Sequence, residues 1–412
     1  MKNIQIDSNR LWHSIMEMAK IGATEKGGNC RLALTDLDME CRNLFIKWCE
    51  NAGCTISIDG VGNIFARRAG RDNTLPPILF GSHLDTQPTG GRFDGVLGVM
   101  AGLEVIRTLN DNAVETDAPL EVVNWTNEEG SRYSPAMMGS GVFTGVFDQT
   151  EIMTKEDSDG KLFGDELKRT GFAGNAPVGD RDIGAYFELH IEQGPILEAE
   201  EKTIGIVTDA QGQRWYEINM TGQESHAGPT PMPIRKDALV TAAKIIQKVN
   251  RIGHAHSPFA CATVGQIISS PNSRNVIPGH VFLTIDFRHP NSDVLMAMDE
   301  ELKTFCIETQ LVDHVNIEVV DFWQFPPTPF DDSCVKAVRQ GAVLFNYSHR
   351  DICSGAGHDA IHMANITPSA MIFIPCEGGI SHNEVENATP EDCTAGTNVL
   401  LHSVLSQAGK TN

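Results

Sequence analysis

Two adjacent carboxylates, Glu128 and Glu129, close an apolar run in the segment Asn124-Trp-Thr-Asn-Glu-Glu-Gly130. In water-poor surroundings both stay ionised only if positive charge is near. Successive residues of extended backbone point to opposite sides, so the pair can divide the work. One carboxylate holds a metal ion while its neighbour reaches a water on that ion. A solvated acidic turn is the duller reading of the dipeptide alone. His83, Asp85, Asp94, His190 and His382 argue against it, because each falls where a strand or helix signal stops and a loop begins. Imidazole mixed with carboxylate suits zinc, manganese, cobalt or nickel rather than calcium or magnesium. Together these residues can supply a two-metal site.

The elements that must position these side chains are short and apolar. Pro76-Pro77-Ile-Leu-Phe-Gly81 reads as a buried strand running into Ser82-His83-Leu84-Asp85. Alternation puts His83 and Asp85 on one face, so the Asp85 carboxylate is expected to support the His83 imidazole from behind. The turn-rich Gly90-Gly91-Arg92-Phe93-Asp94-Gly95 leads into Val96 to Arg107, whose apolar spacing suits a packed helix. A plain helix N-cap is the alternative job for Asp94. His190 follows the strand-like run Ala185 to Leu189, and His382 follows the strand-like run Ala370 to Pro375. Singly, each of these histidines reads as structural; the joint pattern points to metal.

Four segments carry a family likeness: Gly81-Ser-His-Leu-Asp-Thr-Gln-Pro-Thr-Gly-Gly-Arg-Phe-Asp-Gly-Val-Leu-Gly98, Trp125-Thr-Asn-Glu-Glu-Gly130, Leu189-His-Ile-Glu-Gln-Gly-Pro195 and Ser381-His-Asn-Glu384. They resemble the amidase/hydantoinase/carbamoylase branch of the dinuclear-zinc peptidase superfamily, from about residue 10 to about residue 405. That branch holds N-carbamoyl-L-amino-acid hydrolases, β-ureidopropionases and allantoate amidohydrolases. The resemblance implies that Asp94 bridges two metal ions, that His83 and His190 complete one site, and that Glu129 and His382 complete the other. It implies Glu128 as general base and Asp85 as the group orienting His83. It further implies that His226 stabilises the tetrahedral oxyanion across a homodimer interface. Asn275 and Arg288, with Gln193 nearby, would hold a substrate carboxylate. These roles match the chemistry, since Arg offers a planar fork to a carboxylate and a paired metal site polarises a carbonyl and acidifies a water.

The order of elements predicts an α/β catalytic domain, zinc-peptidase-like, from residues 1–212 and 329–412, interrupted by a smaller α+β open-faced sandwich at 213–328 that serves as lid and dimerisation domain. Helices are expected at Ser8 to Ala19 and Asp36 to Ala52, and the acidic stretch Asp148 to Asp182 as a surface excursion. In the inserted domain the pattern predicts strands at Tyr216 to Thr221, Phe259 to Ile267, Val281 to Phe287 and His314 to Val320. Helices follow at Arg235 to Val249 and Ser292 to Glu308, with hinges near Gly212 and Phe325 to Thr328.

Composition narrows the partners. With 54 acidic and 32 basic side chains the net charge is −22, which argues against nucleic acid and anionic membranes. No apolar run is long enough to span a bilayer, and the N-terminus lacks a secretory pattern. The ten cysteines include no C-x-x-C pair and read as reduced thiols of a cytoplasmic protein. The expected activity is hydrolysis of the ureido C–N bond of an N-carbamoyl-β-alanine or N-carbamoyl-L-α-amino acid. Allantoate and ureidoglycolate are alternative substrates. A metallopeptidase or aminoacylase is disfavoured because Asp94 is followed by Gly-Val-Leu-Gly, where peptidase relatives carry an acidic-Lys-Gly motif. A metal-free scaffold is disfavoured because Glu128 and all five ligand positions are kept.

Overall fold

A computed structural model describes residues 4–409. The chain divides into two compact units, one made of residues up to Thr208 together with those from Pro329, the other of Asp209–Thr328. The first boundary therefore precedes the expected one. The strand Gly212–Thr221 pairs along its whole length inside the second unit, so the cut falls before it.

The first unit is built on a mixed nine-stranded sheet. Its central strands run in spatial order Leu120–Trp125, Ile78–His83, Ala185–Ile191 and Ser369–Ile374, all mutually parallel. Every residue of these four strands is buried, as expected for parallel strands covered on both faces. An antiparallel hairpin, Thr55–Ile58 with Ile64–Arg68, extends one side. Parallel strands put their carboxyl ends on one edge, the usual place for ligands in such sheets. His83 and His190 stand at that edge, and the chain leaves it toward Glu128-Glu129 and toward His382.

The helix Val96–Asp111 is buried on nearly every face. It lies directly on the sheet because Gly98 has no side chain; a Cβ there would come within 2.6 Å of the Leu189 carbonyl oxygen. The helix Pro390–Ala408 is similarly enclosed. Ser8–Met18 and Asp36–Asn51 start on side-chain caps from Asp7 and Thr35, which fixes their N-termini where the sequence places them. Asp94 is not a cap. Gly95 takes that position with φ +67°, leaving the Asp94 carboxylate for other work.

The stretch Asp148 to Asp182 is not a surface excursion. It contains the helices Gln149–Ile152 and Phe163–Thr170 and buries Phe163, Leu167 and Phe172. Its acidic composition misleads because some of the charges turn inward: Arg132 pairs with Asp157 at 2.9 Å and with Glu166 at 2.8 Å.

The second unit is a four-stranded antiparallel sheet in the order Asn316–Phe325, Gly212–Thr221, His280–His289, Cys261–Ser270. Burial alternates strictly along His280–His289. Its inward residues meet the helices Ala238–Ala255 and Ser292–Asp313 in one apolar core that includes Ile218, Ile245, Leu283 and Leu302. The strand-helix-strand-strand-helix-strand order is the predicted one. The first helix starts later than the pattern suggests because Asp237 caps it through the amides of Leu239 and Val240. Among the described residues no helix is long and apolar enough to cross a membrane.

Arg42 ties the helix Asp36–Asn51 to the segment that carries the paired glutamates. Fully buried, it donates to Asp38 at 2.7 Å, to the Gly62 carbonyl at 2.8 Å and to Thr126 Oγ1 at 3.3 Å. Arg42→Met leaves Asp38 as a buried, unpaired charge and should cost about 3–5 kcal/mol. Urea unfolding of the variant checks this; a loss under about 1 kcal/mol, the surface ion-pair range, would show that the pair does not hold this corner.

Candidate metal centre

His83 ends its strand with Nδ1 hydrogen-bonded to the Asp85 backbone carbonyl at 2.9 Å. His190 makes the same kind of contact, Nδ1 to the Ile191 carbonyl at 2.9 Å. A carbonyl only accepts, so each Nδ1 donates its proton there and each Nε2 is the nitrogen that can turn a lone pair to a metal ion. Both Nε2 atoms face Asp94 Oδ1, at 3.6 Å from His83 and 3.1 Å from His190. The other Asp94 oxygen lies 3.4 Å from His382 Nε2, which is also 3.4 Å from Glu129 Oε2. Two groups of potential ligand atoms result, His83–Asp94–His190 and Asp94–Glu129–His382, each with its atoms within 4.8 Å of one another. Asp94 belongs to both.

Local backbone makes this convergence possible. Gly95 has φ +67°, and a Cβ there would overlap the His83 ring. Its amide also donates to His190 Nε2 at 3.2 Å. Asn127 at φ +56° turns the chain just before the glutamates. Its side-chain amide is fixed on the Tyr133 carbonyl at 2.8 Å. His382 sits at φ +53° and is the one half-exposed donor, 52% exposed against 5% or less for Asp94, Glu129 and the other two histidines.

Asp85 does a different job from the expected one. Its backbone carbonyl, not its carboxylate, orients His83. The carboxylate accepts from the amides of Glu128 and Glu129, both at 3.2 Å, and so fixes the peptide that presents the pair. Glu128 then points Oε2 at His83 Nε2, 3.4 Å away.

Electrostatics describe a site with more negative than positive charge. Burial works against a charged His83, yet Glu128 and Asp94 outweigh it and hold its pKa well above the ordinary value. Burial opposes ionisation of Asp94, but His190 and His83 hold its carboxyl well below the usual range. Glu128 and Glu129 are both pushed well above it, by burial first and then by neighbouring carboxylates. The Nε2 atoms of two imidazoles gathered on a shared carboxylate, with two more carboxylates beside it, form the donor set that divalent cations balance. The residues present therefore fit metal ions.

A family model described as "Peptidase family M20/M25/M40" matches residues 79–406. This chain belongs to that family. Among its relatives is an N-carbamoyl-L-amino-acid amidohydrolase of Rhizobium meliloti, 49% identical, with the match covering 99% of this chain and 98% of the relative. An allantoate amidohydrolase of Bacillus subtilis is 32% identical, covering 95% and 96%. A crystal structure of a hydantoinase/carbamoylase family amidase from Burkholderia multivorans has a TM-score of 0.94 and 59% identity, over 98% of each chain.

The remaining sequence-predicted residues lie in two places. In the first unit Gln193, at φ +56°, donates to Asp94 Oδ2 at 3.0 Å and to Ser381 Oγ at 3.1 Å. In the second unit a two-residue ladder brings His226 beside Val276, and the Asn275 carbonyl accepts from Ala227 at 2.9 Å. His226 is exposed, and its Nδ1 accepts from the Gly228 amide at 3.0 Å, which leaves Nε2 to donate. Arg288 is half-buried and donates to Asp286 Oδ2 through Nε at 3.0 Å and through its terminal nitrogen at 2.8 Å.

Sequence reasoning missed several groups in the first unit. Gln87 holds both oxygens of Glu129, by its amide at 3.1 Å and its side chain at 2.6 Å, and is itself fixed by Ser131 at 2.6 Å. The buried His358 ring lies 4.5 Å from the His190 ring, and burial pushes its pKa well down. The neighbouring Asp359 bonds Ser140. Glu188 accepts from Ser82, Tyr186 and the Ala360 amide. The signal that could have found His358 and Asp359 is the glycine-rich Gly355-Ala-Gly-His-Asp359, which follows the strand His349–Ser354 much as other site loops follow theirs.

Asp85→Asn separates the two jobs at that position. It turns one acceptor into a donor facing an amide and leaves the carbonyl on His83 unchanged. Cobalt titration of the stripped variant should show one ion bound normally and a second bound about 10–100-fold more weakly. Equal weakening of both would return Asp85 to the His83 role.

Proposed function

We propose that this chain is a metal-dependent amidohydrolase that cleaves the ureido C–N bond of an N-carbamoyl amino acid, giving the amino acid, CO2 and ammonia. The carrying observation is the Asp94 carboxylate shared between two donor groups, with Glu128 beside them. The 49% likeness to an N-carbamoyl-L-amino-acid amidohydrolase supports the substrate class. Two divalent ions of the zinc, manganese, cobalt or nickel type, held by His83, Asp94, His190, Glu129 and His382, would polarise the ureido carbonyl and acidify a water.

The protein's own residues account for the proton traffic. A water oxygen adds to the ureido carbon while Glu128 takes its proton. Glu128 then returns that proton to the terminal nitrogen, the C–N bond breaks and ammonia leaves. The carbamic acid that remains loses CO2, so one water is consumed per amino acid, CO2 and ammonia released. The position of Glu128 supports this double role, because its Oε2 reaches to 3.4 Å from His83 Nε2, beside the donor groups, and one carboxyl can take a proton and give it back. Asn275 and Arg288 are proposed to receive the substrate carboxylate, with Asp286 holding the Arg288 fork in plane. Gln193 supports the site from the Asp94 side. The relatives named allantoate amidohydrolases make allantoate the second substrate to test. The ten free cysteines support a cytoplasmic enzyme.

Ammonia release by stripped protein reloaded with zinc, manganese, cobalt or nickel tests this reading, with N-carbamoyl-β-alanine, N-carbamoyl-L-methionine, allantoate and a dipeptide as substrates. Metal-dependent ammonia from a ureido compound is expected, and Glu128→Gln should keep metal but lose about 10²–10⁴-fold in turnover. Cleavage of the dipeptide alone would make the chain a peptidase.

We further propose a homodimer in which the exposed His226 donates to the developing oxyanion of the other subunit's substrate. Glu128→Gln and His226→Asn, each inactive alone, should regain activity when mixed and allowed to exchange subunits. No recovery in demonstrated heterodimers would place His226 in its own subunit's site or outside catalysis.

A further inference from the structure

We propose that Glu386 is a positioning residue for the metal centre, clamping the peptide that carries Asp94 to the turn that carries His382. The inference deepens the amidohydrolase reading and rests on its two-ion site. Glu386 is in neither group of potential ligand atoms, yet it is 1% exposed and its side-chain hydrogen bonds lead to that centre. Oε1 accepts from the amides of Phe93 and Asp94, both at 3.0 Å. Oε2 accepts from Ser381 Oγ at 2.9 Å. Ser381 is the residue before His382, and its oxygen lies 3.0 Å from Asp94 Oδ2.

One side chain thus touches the backbone of the shared ligand and, through Ser381, both the carboxylate of that ligand and the turn of the last donor. Ser381 has one proton and two carboxylates to give it to, while Gln193 donates to its oxygen at 3.1 Å. The arrangement closes a ring of hydrogen bonds around the outer side of Asp94. Gly91 completes it, because a Cβ there would overlap the Glu386 carboxyl group, so the Gly90-Gly91 turn can fold down over it only without a side chain.

The clamp requires acceptor geometry more than charge. A glutamine can offer its oxygen to the two amides and its nitrogen to Ser381, which then donates to Asp94. An alanine leaves two buried N–H groups without partners and frees the turn. Outer hydrogen-bonding groups of this kind are worth about 10–100-fold in metal affinity.

The test is titration of zinc alone into stripped wild type, Glu386→Gln, Glu386→Ala and Ser381→Ala, in competition with a chromophoric chelator. Circular dichroism and thermal unfolding of the stripped proteins run alongside. We expect Glu386→Ala to fold and to bind zinc about 10–100-fold more weakly, while Glu386→Gln binds it nearly as the wild type does. Wild-type zinc affinity in Glu386→Ala with a lowered Tm would make the residue merely structural and overturn the inference. So would Glu386→Gln as weak as Glu386→Ala, which would assign charge rather than a clamp. If Glu386→Ala does not fold, Ser381→Ala decides: weakened zinc binding supports the clamp and unchanged binding overturns it. No substrate enters the titration, so an error in the substrate class leaves it standing.

Discussion

A buried carboxylate with a different imidazole partner on each oxygen is a demanding object to fold. Asp94 must lose its water, face Nε2 of His83 and His190 on one side, and meet His382 on the other. Each of those contacts fixes a piece of chain, and the pieces come from three strand ends and one helix start. The parallel sheet is the framework that makes this affordable, because it delivers its carboxyl ends to one edge in a fixed spacing. The glycines serve the same contact: Gly95 lets the helix begin against the His83 ring, and Gly98 lets that helix settle on the strand that carries His190.

Backbone atoms do much of the orienting. Both imidazoles are aimed by carbonyls of residues one or two positions along the chain. The peptide of Glu128-Glu129 is aimed by the carboxylate of Asp85. Rigid main chain holds these groups more firmly than long side chains could, which suits a site that gathers three carboxylates at close quarters.

How much of this the sequence discloses depends on what kind of partner each residue has. His83, Asp94, Glu129, His190 and His382 stand out because their types are metal donors and because each ends a run of apolar residues. The elements around them are legible for the same reason, since fully buried strands such as Ala185–Ile191 leave continuous apolar runs. Asp85 is misread because the acceptor that meets His83 is a carbonyl, and a carbonyl belongs to every residue type. Glu386 leaves no pattern at all, since two of its partners are amides far away in the chain. The stretch around Asp157 and Glu166 reads as solvent-exposed because nothing in its spacing reveals that Arg132 waits for both. The inserted unit is legible in order but blurred at its ends, where a cap such as Asp237, not apolar periodicity, decides the first residue.

The donors also have an order in time. Synthesis runs from the N-terminus, so His83, Asp94, Glu129 and His190 leave the ribosome well before Ser381, His382 and Glu386. The group His83–Asp94–His190 is complete in sequence while the group Asp94–Glu129–His382 still lacks its last member. Between the two lies the whole second unit, which closes on its own core. The two halves of the centre therefore differ in age within every newly made molecule, and the younger half is the one that waits for the chain to finish.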